Sequence, residues 1–250
     1  MLKGVIPGLR QGLSLRSFFA ILVMAAAILL SSTETILRVF QSGSLLPAGY
    51  HTEFILRTLS TDAVAAFAPI AAVLPLAASY VEDVKSKFAQ YYLVRSGYGG
   101  YIGSRLIACF LWGGAVVVLG LLMSWGTADM LFSSLEREGS VDREIQNKLS
   151  AGCLRLFLTG GFWAVWGMTL STWMESKYIA YASSFVSYYL LTILHERYFP
   201  GAHMLYPQEW IAPSQAWPYG TLGVVIVITE LTMAAALLFA WRARRRLEQL

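Results

Sequence analysis

Apolar residues in this chain are gathered into six long blocks, and polar or charged stretches separate one block from the next. An α-helix needs about 20 consecutive apolar residues to cross roughly 30 Å of hydrocarbon. The blocks have about this length, so the pattern predicts an all-α, polytopic membrane protein with six transmembrane helices. The predicted spans are residues 17–39, 61–81, 106–125, 152–174, 178–194 and 219–241.

The composition agrees with this pattern. Of the 250 residues, 56% are hydrophobic and 14% are charged, which excludes an ordinary soluble globular domain. No second domain and no internal repeat is evident in the sequence. We therefore predict a single transmembrane domain over residues 1–250.

The start of the chain mixes the basic residues Lys3, Arg10 and Arg16 with apolar residues. This mixture is typical of a helix that lies in the membrane interface, and Pro7 limits how early a regular helix can begin. A frayed basic tail is the alternative. Because no small-residue cleavage site follows the first apolar block, we expect the first span to be retained rather than removed as a signal peptide.

The distribution of lysine and arginine predicts the orientation, because cytoplasmic loops of membrane proteins are enriched in both. One side of the predicted bundle has roughly twice as many as the other. The richer side carries Lys3, Arg10, Arg16, Lys85, Lys87, Arg95, Arg105, Lys177, Arg242, Arg244, Arg245 and Arg246. We therefore expect both termini and residues 82–105 on the cytoplasmic side of the cell membrane.

The sequence carries no catalytic or nucleotide-binding motif. Nothing matches the P-loop pattern GxxxxGK[ST], and there is no HExxH. The histidines, His51, His195 and His203, fall in predicted external loops. Cys109 and Cys153 lie in or beside apolar blocks without CxxC spacing. We therefore expect no enzyme activity, no metal site and no cofactor in this chain.

Polar residues and prolines within the predicted spans are candidates for a substrate path and a hinge. Glu230, beside Thr229, lies about halfway along the sixth span, and Glu34 lies in the polar second half of the first. The charge of an intramembrane acid is costly unless it is paired or protonated, so such an acid indicates a function. For Glu230, a substrate path, a subunit interface and a protonated acid bonded to a neighbouring helix are all open. Pro69 and Pro75 predict kinks in the second span, which reflect either a hinge or packing.

The segment between the second and third spans carries the most information. It begins with the charged residues Glu82, Asp83, Lys85 and Lys87. Aromatic and apolar residues then recur at spacings near three and four, namely Phe88, Tyr91, Tyr92 and Leu93. This spacing predicts an amphipathic helix at the cytoplasmic interface, which offers acids and aromatic side chains to a soluble partner. A loop helix without a partner is the alternative.

A resemblance to a known family is carried by residues 82–83 (ED), 87–96 (KFAQYYLVRS) and 101–105 (YIGSR). In this order they are similar to the permease subunit of type-2 ABC exporters. In that family an acidic residue ends the second span, a loop helix follows, and a run from tyrosine to a basic residue begins the third span. The six-span layout and the chain length are similar as well. Arg105 stands where lysine is usual, and Lys87 stands where glycine is common.

The resemblance implies that two permease subunits, identical or related, pair in the membrane and dock two cytoplasmic ATPase subunits, which bind ATP and Mg²⁺. Movement of the ATPases would push on the coupling helix between spans 2 and 3 and tilt the kinked second span. The coupling residues that the resemblance implies are Glu82, Asp83, Lys87, Phe88, Tyr91, Tyr92 and Arg95.

The expected function is therefore that of the transmembrane subunit of an ATP-driven ABC exporter. This subunit would form the substrate path and move a peptide or a hydrophobic small molecule. The runner-up is a non-transport membrane protein, such as an immunity, anchoring or assembly factor, and an intramembrane enzyme comes third. The sequence leaves a homodimer and a heterodimer equally open.

Overall fold

A computed structural model describes residues 2–42, 45–137, 139 and 142–249, with the backbone alone for residues 2–6, 95 and 96. Helix accounts for 82% of the chain and the described residues contain no strand, which confirms the all-α prediction. The helices are α1 (Leu2–Gly12), α2 (Leu15–Ser31), α3 (Thr33–Ser42), α4 (Tyr50–Leu59), α5 (Asp62–Val73), α6 (Ser79–Lys85), α7 (Phe88–Phe132), α8 (Arg143–Met174), α9 (Lys177–Arg197), a 3₁₀ helix (His203–Leu205), α10 (Pro207–Ile211) and α11 (Thr221–Leu247).

Three helical stretches are long and apolar enough to cross a membrane: Gly97–Phe132 of α7, Arg143–Met174 and Thr221–Leu247. Two helix pairs, α2 with α3 and α4 with α5, are also long and apolar enough when each pair is taken together. The two helices of each pair are, however, bent relative to each other by 52° and 77°, respectively. The described residues thus provide three candidate spans, or five if each bent pair crosses once. These apolar helices indicate a membrane protein.

The predicted count of six spans is not confirmed. Helix α9 covers the predicted fifth span, residues 178–194, but it is not among the candidate spans. Its tyrosine, serine and threonine residues lower its hydropathy below that of the other long helices. The predicted first span, residues 17–39, is divided between α2 and α3 at Ser32.

The region of the predicted second span is also interrupted. Helix α5 contains Pro69 and ends at Val73, and residues 74–78 form turns around Pro75 before α6 begins. Proline lacks a backbone N–H and clashes with the preceding turn, so an interruption here has a direct physical cause. Residues 41–60, which we predict as an external loop, contain the end of α3 and all of α4.

Helix α8 lies at the centre of the bundle, in contact with α5, α7, α9 and α11. Glycines let α7 and α8 approach closely. A Cβ atom added at Gly113 would lie 2.3 Å from the Cβ of Ala164, and one added at Gly160 would lie 2.7 Å from the carbonyl oxygen of Gly113. Small residues four apart commonly allow such close crossings between membrane helices.

Candidate functional site

The candidate site is built around the N-terminal piece of α7, residues 88–96, which we call the connecting segment. Lys87 precedes it with a φ of 61°, in the left-handed region, and Gly97 follows it with a φ of 68° and a ψ of 170°. These two non-helical residues separate the connecting segment from α6 on one side and from the candidate span on the other. The single amphipathic helix predicted between spans 2 and 3 is thus divided, with Glu82 and Asp83 in α6 and the aromatic residues in the connecting segment.

A buried ion pair between Asp83 and Arg105 lies beside the connecting segment. Their side chains are 7% and 8% exposed, and Nη2 of Arg105 contacts Oδ2 of Asp83. The same oxygen accepts a hydrogen bond from the Tyr101 hydroxyl at 2.8 Å. Nη1 of Arg105 donates to Oε1 of Gln11 at 2.5 Å. A buried charge is stable only when it is paired and hydrogen-bonded, and these contacts satisfy both charges. Because the partners lie on three helices, the network links α1, α6 and α7.

The surroundings of Asp83 act on its pKa in opposite directions. Burial raises the pKa, whereas the Arg105 guanidinium and the Tyr101 hydroxyl lower it, and the net direction is upward. The carboxylate therefore depends on both partners for its charge. Removal of either partner would leave burial less opposed and would raise the pKa of Asp83 further.

The neighbouring acid, Glu82, has a different partner. Nη1 of Arg16, on α2, donates to Oε1 of Glu82 at 3.1 Å and to the hydroxyl of Tyr181, on α9, at 3.3 Å. The Arg16 and Glu82 side chains are 55% and 35% exposed, so this pair contributes little stability by itself. Together the two acids connect α6 to α1, α2 and α7.

The connecting segment has an exposed apolar face. Phe88, Tyr91 and Val94, spaced three residues apart, are 48%, 77% and 89% exposed. On the other face, the ring of Tyr92 lies 5.5 Å from the ring of Tyr101, which is fully buried. Adjacent exposed apolar side chains of this kind mark sites of contact with another molecule.

A cleft of about 570 Å³ lies between α1, α6 and the connecting segment. Side chains of both signs line it, among them Arg10, Glu82, Asp83 and Arg105. Asp83 and Arg105 pair with each other within the cleft, whereas Glu82 pairs with Arg16 outside it. Its walls belong to the same network that holds the connecting segment in place.

The coupling residues implied by the resemblance fall into two groups. Glu82 and Asp83 hold α6 to its neighbours, and Tyr92 packs inward. Lys87, Phe88 and Tyr91 are exposed. The side chain of Arg95 lies outside the described part of the chain.

Three residues of the network, Gln11, Tyr101 and Arg105, were not among the predicted site residues. The signal for Arg105 is a basic residue at the start of an apolar block with two acids shortly before it. Tyr101 lies one helical turn before Arg105, on the same face. The sequence offers no comparable signal for Gln11.

The residues predicted for a substrate path lie in different environments. Glu34 is exposed on α3 and pairs with Arg38 at 3.6 Å. The Thr229 hydroxyl donates to the carbonyl oxygen of Val225 in its own helix, at 2.7 Å. Glu230 is exposed on α11 and lines a groove between α8, α9 and α11. Glu230 therefore opens onto a cavity.

Beyond the C-terminal end of α7, Glu136 contacts the start of α4. Its carboxylate accepts hydrogen bonds from the backbone N–H groups of Gly49 and His51, at 3.1 and 2.7 Å. The Nδ1 atom of His51 lies 3.0 Å from the same carboxylate. Within the described ranges, no group of three or more His, Cys, Asp or Glu side chains could hold a metal ion. The contact joins the residues after α7 to the start of α4.

No protein-family model, no curated protein and no solved structure matches this chain. The resemblance to type-2 ABC exporter permeases therefore rests on residues 82–105 and on the layout of the apolar blocks.

Proposed function

We propose that this chain is the transmembrane subunit of an ATP-driven exporter and that a separate ATPase subunit docks on the connecting segment. The observation that supports the proposal is an exposed face, with Phe88 and Tyr91, placed beside a buried ion-pair network. The exposed face offers contact area, and aromatic residues are enriched at protein interfaces. The buried network keeps the segment attached to the bundle, so a force on the segment is passed on to the bundle.

Such a force would reach the membrane by two routes. Along α7 it passes Gly97, whose non-helical backbone interrupts the helix. Through Asp83 and Arg105 it reaches α6 and then the turns at residues 74–78, around Pro75. Hinges are short stretches at the ends of elements that absorb changes in φ and ψ. Both routes therefore lead through a break in the backbone into a helix that packs against α8.

In this proposal ATP and Mg²⁺ belong to the partner ATPase, since the sequence has no P-loop motif. The lysine and arginine bias predicts that both termini and the connecting segment lie in the cytoplasm, where a soluble ATPase is accessible. A second permease subunit, the same or related, completes the substrate path. The exposed face of α11 is mostly apolar, with Leu222, Ile226, Met233 and Leu237, although Glu230 interrupts it. The exported substrate is a peptide or a hydrophobic small molecule.

Co-expression with candidate P-loop ATPases from the same genome, followed by affinity purification from detergent, tests the proposal. We expect the ATPase to co-purify with the chain. The double variant Tyr91→Ala, Val94→Ser should weaken the complex roughly tenfold, about 1.4 kcal/mol, because it removes an aromatic contact from the exposed face. Tyr178→Ala is the matched control, since Tyr178 is 72% exposed but lies at the start of α9.

Equal recovery of the ATPase with the wild type and the double variant would contradict docking on the connecting segment. If no ATPase co-purifies, and the reconstituted chain stimulates no ATP hydrolysis, the exporter proposal fails. The result would then favour a non-transport role, such as an anchoring or assembly factor.

A further inference from the structure

A second cavity has a chemistry that the docking proposal does not use. It is a groove of about 550 Å³ between α8, α9 and α11. Sites for small molecules commonly have volumes of about 300–1,000 Å³. Most of its walls are aliphatic and aromatic, and they include Phe162, Trp163, Trp166, Leu190, Leu231 and Leu238.

Glu230 is the charged residue among the side chains that line this groove. It lies within the candidate span Thr221–Leu247, about 13 Å along the helix axis from Thr221 at roughly 1.5 Å per residue. Its side chain has no hydrogen bond or ion pair with any described residue. A carboxylate at this depth is costly unless a cation or a proton compensates it.

Two tryptophans in the groove have their N–H groups occupied. Nε1 of Trp166 donates to Oγ of Ser187 at 2.8 Å, and Nε1 of Trp210 donates to the carbonyl oxygen of Met204 at 2.9 Å. Trp210 is fully buried, whereas Trp166 is half-buried and offers a ligand its ring rather than a hydrogen bond. Aromatic ring faces attract cations as well as apolar groups.

The shape of the groove favours a small molecule over a helix. Met204 and Trp210 belong to the segment that joins α9 to α11, and they line the groove at the end where that segment lies. A helix that crosses the whole membrane would collide with this segment. Toward the outside of the bundle, Leu190 and Leu238 are 56% and 45% exposed. A molecule dissolved in the bilayer can therefore enter from the side.

We propose that this groove binds an amphiphilic monocation, an apolar molecule with one amine or other positive group. The positive group lies against the carboxylate of Glu230, and the apolar part lies against the ring of Trp166 and the side chains of Leu190 and Leu238. The proposal that the groove binds such a cation depends on the groove alone. The further statement that such a cation is the exported substrate rests on the proposed function.

Equilibrium binding of radiolabelled tetraphenylphosphonium to the chain in lipid nanodiscs, with empty nanodiscs subtracted, tests the proposal. We expect Glu230→Gln to weaken binding roughly tenfold, equivalent to about 1.4 kcal/mol. Glu230→Asp keeps the charge and should retain most of the binding. Glu248→Gln is the control for removal of another exposed acid from this chain. Tetraphenylborate, an anion of the same shape, should bind the wild type more weakly than it binds Glu230→Gln.

Equal binding of tetraphenylphosphonium to folded wild type and folded Glu230→Gln would overturn the proposal. A change of oligomeric state in Glu230→Gln by light scattering, with phosphonium binding unchanged, would assign the groove to a contact between copies and would overturn it as well. The assay contains no ATPase, so its failure is distinct from a failure of the co-purification experiment.

Discussion

Asp83 and Arg105 form an ion pair with both side chains more than nine-tenths buried, although they lie on different helices, α6 and α7. Tyr101 and Gln11 supply its remaining hydrogen bonds. Burying two charges is costly, and removing one of them is costlier, because the other is then left uncompensated. The pair lies between the turns around Pro75 and the connecting segment. Arg105 itself lies beyond Gly97, so the pair joins α6 to the start of the candidate span in α7.

The first prediction concerns this pair. Asp83→Leu and Arg105→Met should each lower the free energy of unfolding by about 3–5 kcal/mol, because each leaves one buried charge alone. The double variant should lose less than the sum of the two, since no unpaired charge remains. Thermal unfolding in detergent, followed by circular dichroism, measures all three. If the loss of unfolding free energy in the double variant equalled the sum of the two single losses, energetic coupling between Asp83 and Arg105 would be contradicted.

The exposed pair between Arg16 and Glu82 is the matched control. Glu82→Gln should lower the free energy of unfolding by less than about 1 kcal/mol, because water replaces the lost contact. If Glu82→Gln were as destabilising as Asp83→Leu, the difference in burial between the two acids would not explain their roles.

The sequence predicts the long helices of the bundle well because lipid requires apolar residues around most of a helix. The predicted spans 106–125 and 152–174 each lie within one helix, and the span 219–241 lies within α11 except for residues 219 and 220. Helix α4 is not predicted, because it is amphipathic. It buries Phe54 and Ile55 while keeping an exposed pair on its other face, and an average over twenty residues hides this pattern.

The pairing of Asp83 with Arg105 is not predicted either, for a different reason. Charged residues near the end of a membrane span are usually solvated, so the sequence alone favours exposed positions for both. Which charges become buried together depends on how α1, α6 and α7 pack. That packing is a property of the tertiary structure, whereas hydropathy and spacing describe one helix at a time.

Lys87 provides the second prediction. Its φ of 61° is unfavourable for a residue with a Cβ atom, and glycine adopts this conformation at lower cost. Lys87→Gly should therefore raise the free energy of unfolding by about 1 kcal/mol. Lys148→Gly, in the regular helix α8, should lower it by about 1 kcal/mol. Melting temperatures of the two variants and the wild type are measured in the same detergent. If both variants were less stable than the wild type, the left-handed conformation of Lys87 would be contradicted.

The third prediction follows from Glu209, which is 4% exposed. Burial alone would raise its pKa, but hydrogen bonds from Ser214, Gln215 and Trp217 lower the pKa below its ordinary value. With a lower pKa in the folded state, the stabilisation is complete above the unfolded-state pKa of about 4.3 and is lost as the pH falls through the folded-state value.

Glu209→Gln should therefore lower the free energy of unfolding at pH 7 by about 1.5–3 kcal/mol, since hydrogen bonds to a charged group are lost. The difference in free energy of unfolding between the wild type and Glu209→Gln should become smaller as the pH falls below about 4. Tryptophan fluorescence during thermal unfolding measures it across pH. Glu248→Gln, at an exposed position, is the control. A gap that is independent of pH would contradict the role of the carboxylate.

The last prediction compares the same change at two glycines of α7. At Gly113 an added Cβ would lie 2.3 Å from the Cβ of Ala164 and 2.9 Å from the carbonyl oxygen of Gly160, and neither atom can rotate away. Gly113→Ala should therefore force α7 and α8 apart and lower the free energy of unfolding by about 1–3 kcal/mol. At Gly126 nothing lies within 4 Å, so Gly126→Ala should raise it by about 0.5–1 kcal/mol through reduced backbone entropy. Melting temperatures in detergent should shift in opposite directions, and losses of equal size at both sites would show that the helix crossing does not limit packing at Gly113.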